Sequence, residues 1–125
     1  MNQWGIDRED QDRLLAELIS TNFLSEERFA EAYTSGKTRI KRWGRIKIRI
    51  ELKKKMISEY STNKALNGID LDEYWNNLLH LAEKKWELIA KEKDLFKRKG
   101  KLYRFLASKG YEMDLIKDAV EQVSK

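Results

Sequence analysis

The chain has 125 residues, 41% hydrophobic and 38% charged, with a net charge of +5, no proline and no cysteine. That length and apolar share suit one domain with a modest core. The lack of cysteine excludes disulfides, thiolate metal sites and cysteine nucleophiles. No apolar run approaches the roughly 20 residues that span a bilayer, and no signal-peptide core follows Met1, so the expectation is a cytoplasmic protein with no membrane partner.

Without proline, long helices are unopposed. In chain order the spacing predicts seven of them. The first covers 8–22, with Leu14, Leu15, Leu18 and Ile19 on one face. The second starts at Ser25, an N-cap with Arg28 at N3, and turns Phe29, Ala30, Ala32, Tyr33 and Ile40 inward. The third spans 44–56. Within it Ile46, Ile48, Ile50 and Leu52 alternate with charged residues, a strand period. A helix is the better reading, because an otherwise helical chain offers a strand no partner. On that helix Ile48 and Leu52 share the inner face, and Ile46 and Ile50 form an exposed or partner-facing pair. The fourth helix covers 59–67 and stops at Asn67-Gly68. The fifth covers 70–90, capped by Asp70, with Tyr74, Trp75, Leu78, Leu81, Ala82, Trp86 and Ile89 inward. The sixth covers 93–109 and closes at Gly110, which is expected to be left-handed with Tyr111 folding back. The seventh covers 112–123.

A repeat underlies this order. Ile48 and Leu52 precede Met56-Ile57 as Leu102 and Leu106 precede Gly110-Tyr111, and a similar junction stands at Gly5-Ile6. The period, about 51–54 residues, suits a three-helix unit. Residues 24–68 then form one repeat and 69–125 the next, with 1–23 the remnant of an earlier one. The fold class is all-α: tandem three-helix repeats in an elongated, curved, right-handed array. At Met56, where the other two junctions carry glycine, the backbone is expected either to be strained or to end the helix differently from the one before Gly110, the different ending being favoured.

Charge is segregated. Residues 1–36 carry three basic and eight acidic side chains, while the 19 residues 37–55 carry ten basic and only Glu51. This block holds Lys37, Arg39, Lys41, Arg42, Arg45, Lys47, Arg49, Lys53, Lys54 and Lys55, with Trp43 among them. Trp43 stands at an inter-helix junction, where it serves either as a staple or as a stacking contact. A second cluster, Lys97, Arg98, Lys99, Lys101 and Arg104, occupies the equivalent helix of the next repeat. Equivalent faces of stacked repeats tend to line one surface, so one continuous basic face is expected, suited to a polyanion or an acidic protein.

Catalytic chemistry finds no foothold. His80 is the single histidine, and there is no Walker loop and no Gly-x-Gly-x-x-Gly. The paired carboxylates Glu26-Glu27 and Asp70/Asp72/Glu73 stand in first helical turns, where they complement the dipole. No cofactor and no enzymatic activity are expected.

Leu24 to Ala30, Leu-Ser-Glu-Glu-Arg-Phe-Ala, resembles the L-D/S-D/E-x-R-F-A signature of RecX proteins, small modulators of the RecA recombinase. Gly44, Ile48, Leu52, Met56 and Ile57 fall where that family shows glycine, an apolar residue at +4, leucine at +8 and Gly-Ile at +12/+13; Met56 is the departure. The resemblance implies a non-enzymatic, monomeric regulator acting in DNA repair, homologous recombination and the SOS response. Its partners would be the RecA filament and single-stranded DNA or DNA phosphates. It would clamp the filament and modulate, chiefly inhibit, RecA ATPase and strand exchange. The alternative is a sequence-independent nucleic-acid-binding module acting without RecA. The family places two more helices ahead of this chain's first, so residues 1–7 are expected to leave Trp4 and Ile6 uncovered.

Overall fold

The structure, a computed structural model, describes the backbone of residues 8–125 and the side chains of residues 21–125. All regular structure among them is helical: α1 (Arg8–Gly36), a π-helical turn (Lys37–Lys41), α2 (Arg45–Lys54), α3 (Glu59–Asn67), α4 (Leu71–Leu88), α5 (Leu95–Ser108) and α6 (Met113–Val123). The expectations for Trp4, Ile6, Leu14, Leu15, Leu18 and Ile19 lie outside the described side chains.

The first two predicted helices are one. Ser25 lies inside α1 and caps nothing. No glycine or proline falls between Arg8 and Ser35. A serine inside a helix costs a few tenths of a kcal/mol, whereas a break orphans up to four N–H and four C=O groups. The inward face of this helix also differs from expectation. Phe29, Ala32 and Ile40 are exposed, and the buried stripe is Ala30, Thr34 and Thr38, at i, i+4 and i+8. Ala30 packs with Ala65 of α3 in one apolar cluster, and Ser61 and Thr62 of α3 are buried as well. Small side chains on both sides let the two helices approach closely, and two polar rows therefore read as surface in the sequence. Glu26 ties the same pair together, accepting from both the backbone N–H and the hydroxyl of Ser58. Ser58 in turn caps α3 by accepting from the Ser61 N–H.

Ile48 and Leu52 are fully buried on α2, and Ile46 and Ile50 are about half exposed on its other side, as a 100° helical turn requires. At the end of α2 the favoured expectation for Met56, a different ending, fails, and the strained alternative holds. It takes the left-handed conformation, φ 64°, as Gly110 does at φ 92°. Ile57 N–H donates to Leu52 O at 3.1 Å and Met56 N–H to Lys53 O at 3.0 Å, the paired bonds of a Schellman motif. These bonds, and the packing of Ile57 on the core, hold the backbone there despite the missing glycine.

Two apolar clusters result. The smaller gathers Ala30, Ile48, Leu52, Ala65 and Leu66; the larger gathers residues of α4, α5 and α6, including Tyr74, Leu78, Leu102, Leu106, Tyr111 and Ile116. Ile69 packs against both and joins them. Asp70 and Asp94 cap α4 and α5 by accepting from Glu73 N–H and Lys97 N–H.

The two three-helix units meet end to end. The start of α2 abuts the end of α5: Gly44 N–H donates to Lys109 O at 2.7 Å and Ile46 N–H to Gly110 O at 2.9 Å. Arg45 N–H donates to the Tyr74 hydroxyl at 2.8 Å. Orphan donors at the start of one helix thus meet orphan acceptors at the end of another, so the positive end of one dipole stands beside the negative end of the other. The approach requires glycine on both sides. A Cβ on Gly44 would lie 2.3 Å from the carbonyl of Gly110, and a Cβ on Gly110 would lie 2.3 Å from Lys47 Cβ.

Candidate nucleic-acid and protein interface

The junction consumes part of the basic block. Arg45 Nε sits 2.6 Å from Glu112 Oε2, and its guanidinium stacks 4.6 Å from the Tyr74 ring. Burial works against the charge of Arg45, but Glu112 and the Tyr74 hydroxyl outweigh it and leave its pKa raised. Glu112, at the start of α6, makes no cap bond of its own; it accepts from the Tyr74 hydroxyl at 2.6 Å instead. Arg42 is left-handed, φ 54°, and its carbonyl accepts from the Tyr111 hydroxyl at 2.8 Å. Burial pushes the phenols of Tyr74 and Tyr111 far above their ordinary range, with the bond to Glu112 adding to the shift at Tyr74.

The other cations divide into sets. Lys37, Lys47 and Lys55 converge on two aromatic rings. Lys37 and Lys47 lie 4.7 and 4.5 Å from the Trp43 centroid; Lys37 and Lys55 lie 5.3 and 5.5 Å from that of Tyr33. Trp43 also packs partly on the smaller core, so it is both staple and cation platform. Beside this cluster Tyr33, Gly36, Lys37, Ile40 and Lys41 line an open recess of about 210 Å³. Lys53 and Lys54 are exposed along α2, Lys54 lying 3.3 Å from Glu51.

Arg39 and Arg49 turn elsewhere. Arg39 bonds Glu73 at 3.3 Å, and Arg49 bonds Asn63 at 2.7 Å. Arg39 and Glu73 also border a groove of about 300 Å³ between α1, α3 and α4, floored by Thr34 and Thr38.

On α5, Arg98 stacks 3.7 Å over Trp86 and donates to its carbonyl at 2.6 Å, so it holds α4 and α5 together. Lys101 lies 3.7 Å from Glu92. Lys97 and Arg104 are exposed, and Lys99 is half-buried. The predicted residues therefore divide by role. The Arg42 backbone and the Arg45 and Arg98 side chains support the fold, while Lys37, Lys47 and Lys55 surround the partly buried rings of Trp43 and Tyr33.

Sequence reasoning missed two groups here. Tyr33 packs partly on the smaller core as expected, but its ring also serves as a cation platform, which was not foreseen. Lys85 and Lys109 flank Phe105 at 4.9 and 5.5 Å in the second unit. The available signal was the 54-residue offset that pairs Ile48 with Leu102, since it also pairs Lys55 with Lys109. No group of His, Asp or Glu among the described residues could hold a metal, and no helix among them is long and apolar enough to cross a membrane.

Comparison with known proteins places this geometry. The family model described as the second three-helix domain of RecX matches residues 25–66, and that of the third three-helix domain matches residues 72–120. A curated relative named regulatory protein RecX, from Clostridium botulinum (strain Alaska E43 / Type E3), is 38% identical over 123 residues, covering 98% of this chain and 57% of its own length. Another of the same name, from Chlorobaculum tepidum, is 33% identical over 119 residues, covering 95% of this chain and 71% of its own length. The chain thus spans a little over half the length of the clostridial relatives it matches. The crystal structure of RecX from Lactobacillus salivarius superposes with a TM-score of 0.76 at 20% identity, covering 94% of this chain and 76% of that one, a likeness of fold. With both three-helix units matched in chain order, and relatives aligned along nearly the whole chain, the protein belongs to the RecX family.

Proposed function

We propose that this chain is a non-enzymatic regulator of the RecA–single-stranded DNA filament, engaging it through its basic helical surface and inhibiting RecA ATPase and strand exchange. The observation that carries the reading is the Lys37–Trp43–Lys47 cluster with Tyr33 and Lys55 beside it, set on a RecX-type scaffold. Lysines around an aromatic ring suit a phosphate backbone whose bases are unpaired. The rigid Gly44–Gly110 junction keeps this cluster fixed relative to the second unit, so both units can bear on one filament at once. Regulation then works by occupancy: a clamp across neighbouring subunits opposes the motion that ATP turnover needs, without bond chemistry.

The test is RecA ATPase on single-stranded DNA, titrated with the chain. Inhibition is expected at concentrations too low to coat the DNA. Inhibition only at coating concentrations would favour the plain nucleic-acid binder, for which the lysine–aromatic cluster is also suited.

A further inference from the structure

We infer that the outward face of α2 is a docking surface for an acidic, amphipathic segment of a partner protein, separate from the lysine–aromatic cluster that faces nucleic acid. The inference rests on the filament reading above and assigns the protein half of that contact to a face of its own.

Ile46 and Ile50 stand one helical turn apart and remain 45% and 50% exposed. The face they occupy is turned away from Ile48 and Leu52, which pack inside. Around Ile50, at three and four residues' distance, stand the exposed Lys53 and Lys54. Lys53 has no acidic partner among the described residues, and the acid nearest Lys54 is Glu51 on the same helix.

The chemistry of this face selects among occupants. A phosphate backbone would take the lysines but gain little from two isoleucines, which offer no ring for a base to stack on. A second copy of the same face would set cations against cations. An acidic segment with apolar residues one turn apart satisfies both features: it buries the isoleucines and neutralises the lysines around them. The same helix presents Lys47 toward Trp43, so α2 can touch protein along its outer face and nucleic acid along its flank.

The experiment compares the wild-type chain, Ile46→Ser/Ile50→Ser, Ile50→Lys and Ile50→Glu. Each is measured for affinity to a RecA filament assembled on oligo-dT and to oligo-dT alone, at one salt concentration. The isoleucines are half exposed, so the variants keep their fold, checked by thermal midpoint. The double serine variant is expected to lose about tenfold or more in filament affinity, while oligo-dT binding stays within about twofold. Ile50→Glu should lose more filament affinity than Ile50→Lys, because it alone opposes an acidic partner. Unchanged filament affinity in all three variants overturns the inference and leaves the filament reading standing. A parallel loss on oligo-dT also overturns it, making the face a nucleic-acid site. A wild-type chain that binds the filament no better than oligo-dT overturns the filament reading itself, and this inference with it.

Discussion

Replacing Met56 by glycine should stabilise the protein. Met56 holds φ 64°, a conformation in which an L side chain crowds its own carbonyl. Relief of that crowding contributes about 1–2 kcal/mol. Against it stands the extra freedom of glycine in the unfolded chain, about 0.5–1 kcal/mol. Little packing is lost, because the methionine is 86% exposed. The Schellman bonds from Met56 N–H and Ile57 N–H are backbone bonds and survive the change. The net gain lies between about 0 and about 1.5 kcal/mol, centred on about 0.75 kcal/mol, or roughly 3 °C in thermal midpoint for a chain of this length. Urea unfolding should show a higher midpoint with unchanged slope. Met56→Asn, which tolerates positive φ better than methionine, should fall between the two. A lower midpoint for Met56→Gly would refute the strain argument and show that the methionine side chain makes a stabilising contact.

Three other outcomes are expected. Gly44→Ala should cost about 2–3 kcal/mol in chemical denaturation, because its Cβ meets the Gly110 carbonyl at 2.3 Å, whereas Gly36→Ala, in a right-handed helical conformation with nothing within 4 Å, should be neutral or stabilising by up to about 1 kcal/mol. Tyr74 and Tyr111 ionise later in the folded chain than in the unfolded one; stability is therefore full below about pH 10 and falls above it by about 1.4 kcal/mol per pH unit per tyrosine, which urea midpoints between about pH 9 and 11 would show, and a flat profile would contradict. Changing Lys37, Lys47 and Lys55 to glutamine should weaken oligo-dT binding and reduce the slope of log affinity against log salt by about 2, at about 0.7 per phosphate contact; if Lys84→Gln/Lys117→Gln does the same per charge, only net charge matters.

What could be read in the sequence was whatever depends on neighbours along the helix. The cap at Asp70, the left-handed Gly110 and the exposed pair Ile46 and Ile50 follow from local bonds or from a 100° turn per residue. The continuity of α1 through Ser25 was hidden because a serine that can cap a helix is also tolerated inside one. The α1–α3 contact was hidden because Thr34, Thr38, Ser61 and Thr62 look like surface residues, yet are the small side chains that permit close approach. At the candidate site, the concentration of cations was visible and their division was not. Arg45 finds Glu112, and Lys55 finds Tyr33, only after distant segments meet; nothing in the charge run itself separates a junction arginine from an exposed lysine.

The joint between Gly44 and Gly110 has a bearing on self-assembly. It is a head-to-tail contact, the kind that can continue without limit when both of its surfaces stand open on the same molecule. Here the corresponding positions are closed. The 54-residue offset that pairs Leu52 with Leu106 puts Met56 where a second Gly110 would stand, and Arg98 where a second Gly44 would stand. Methionine carries a Cβ at a point where Gly110 has none to spare, and α5 begins at Leu95, so Arg98 lies within the helix and is clasped to Trp86. Each end thus lacks the bare backbone that the internal joint requires. Among the described residues, the meeting of two bare glycine backbones that makes this joint therefore occurs once, between Gly44 and Gly110.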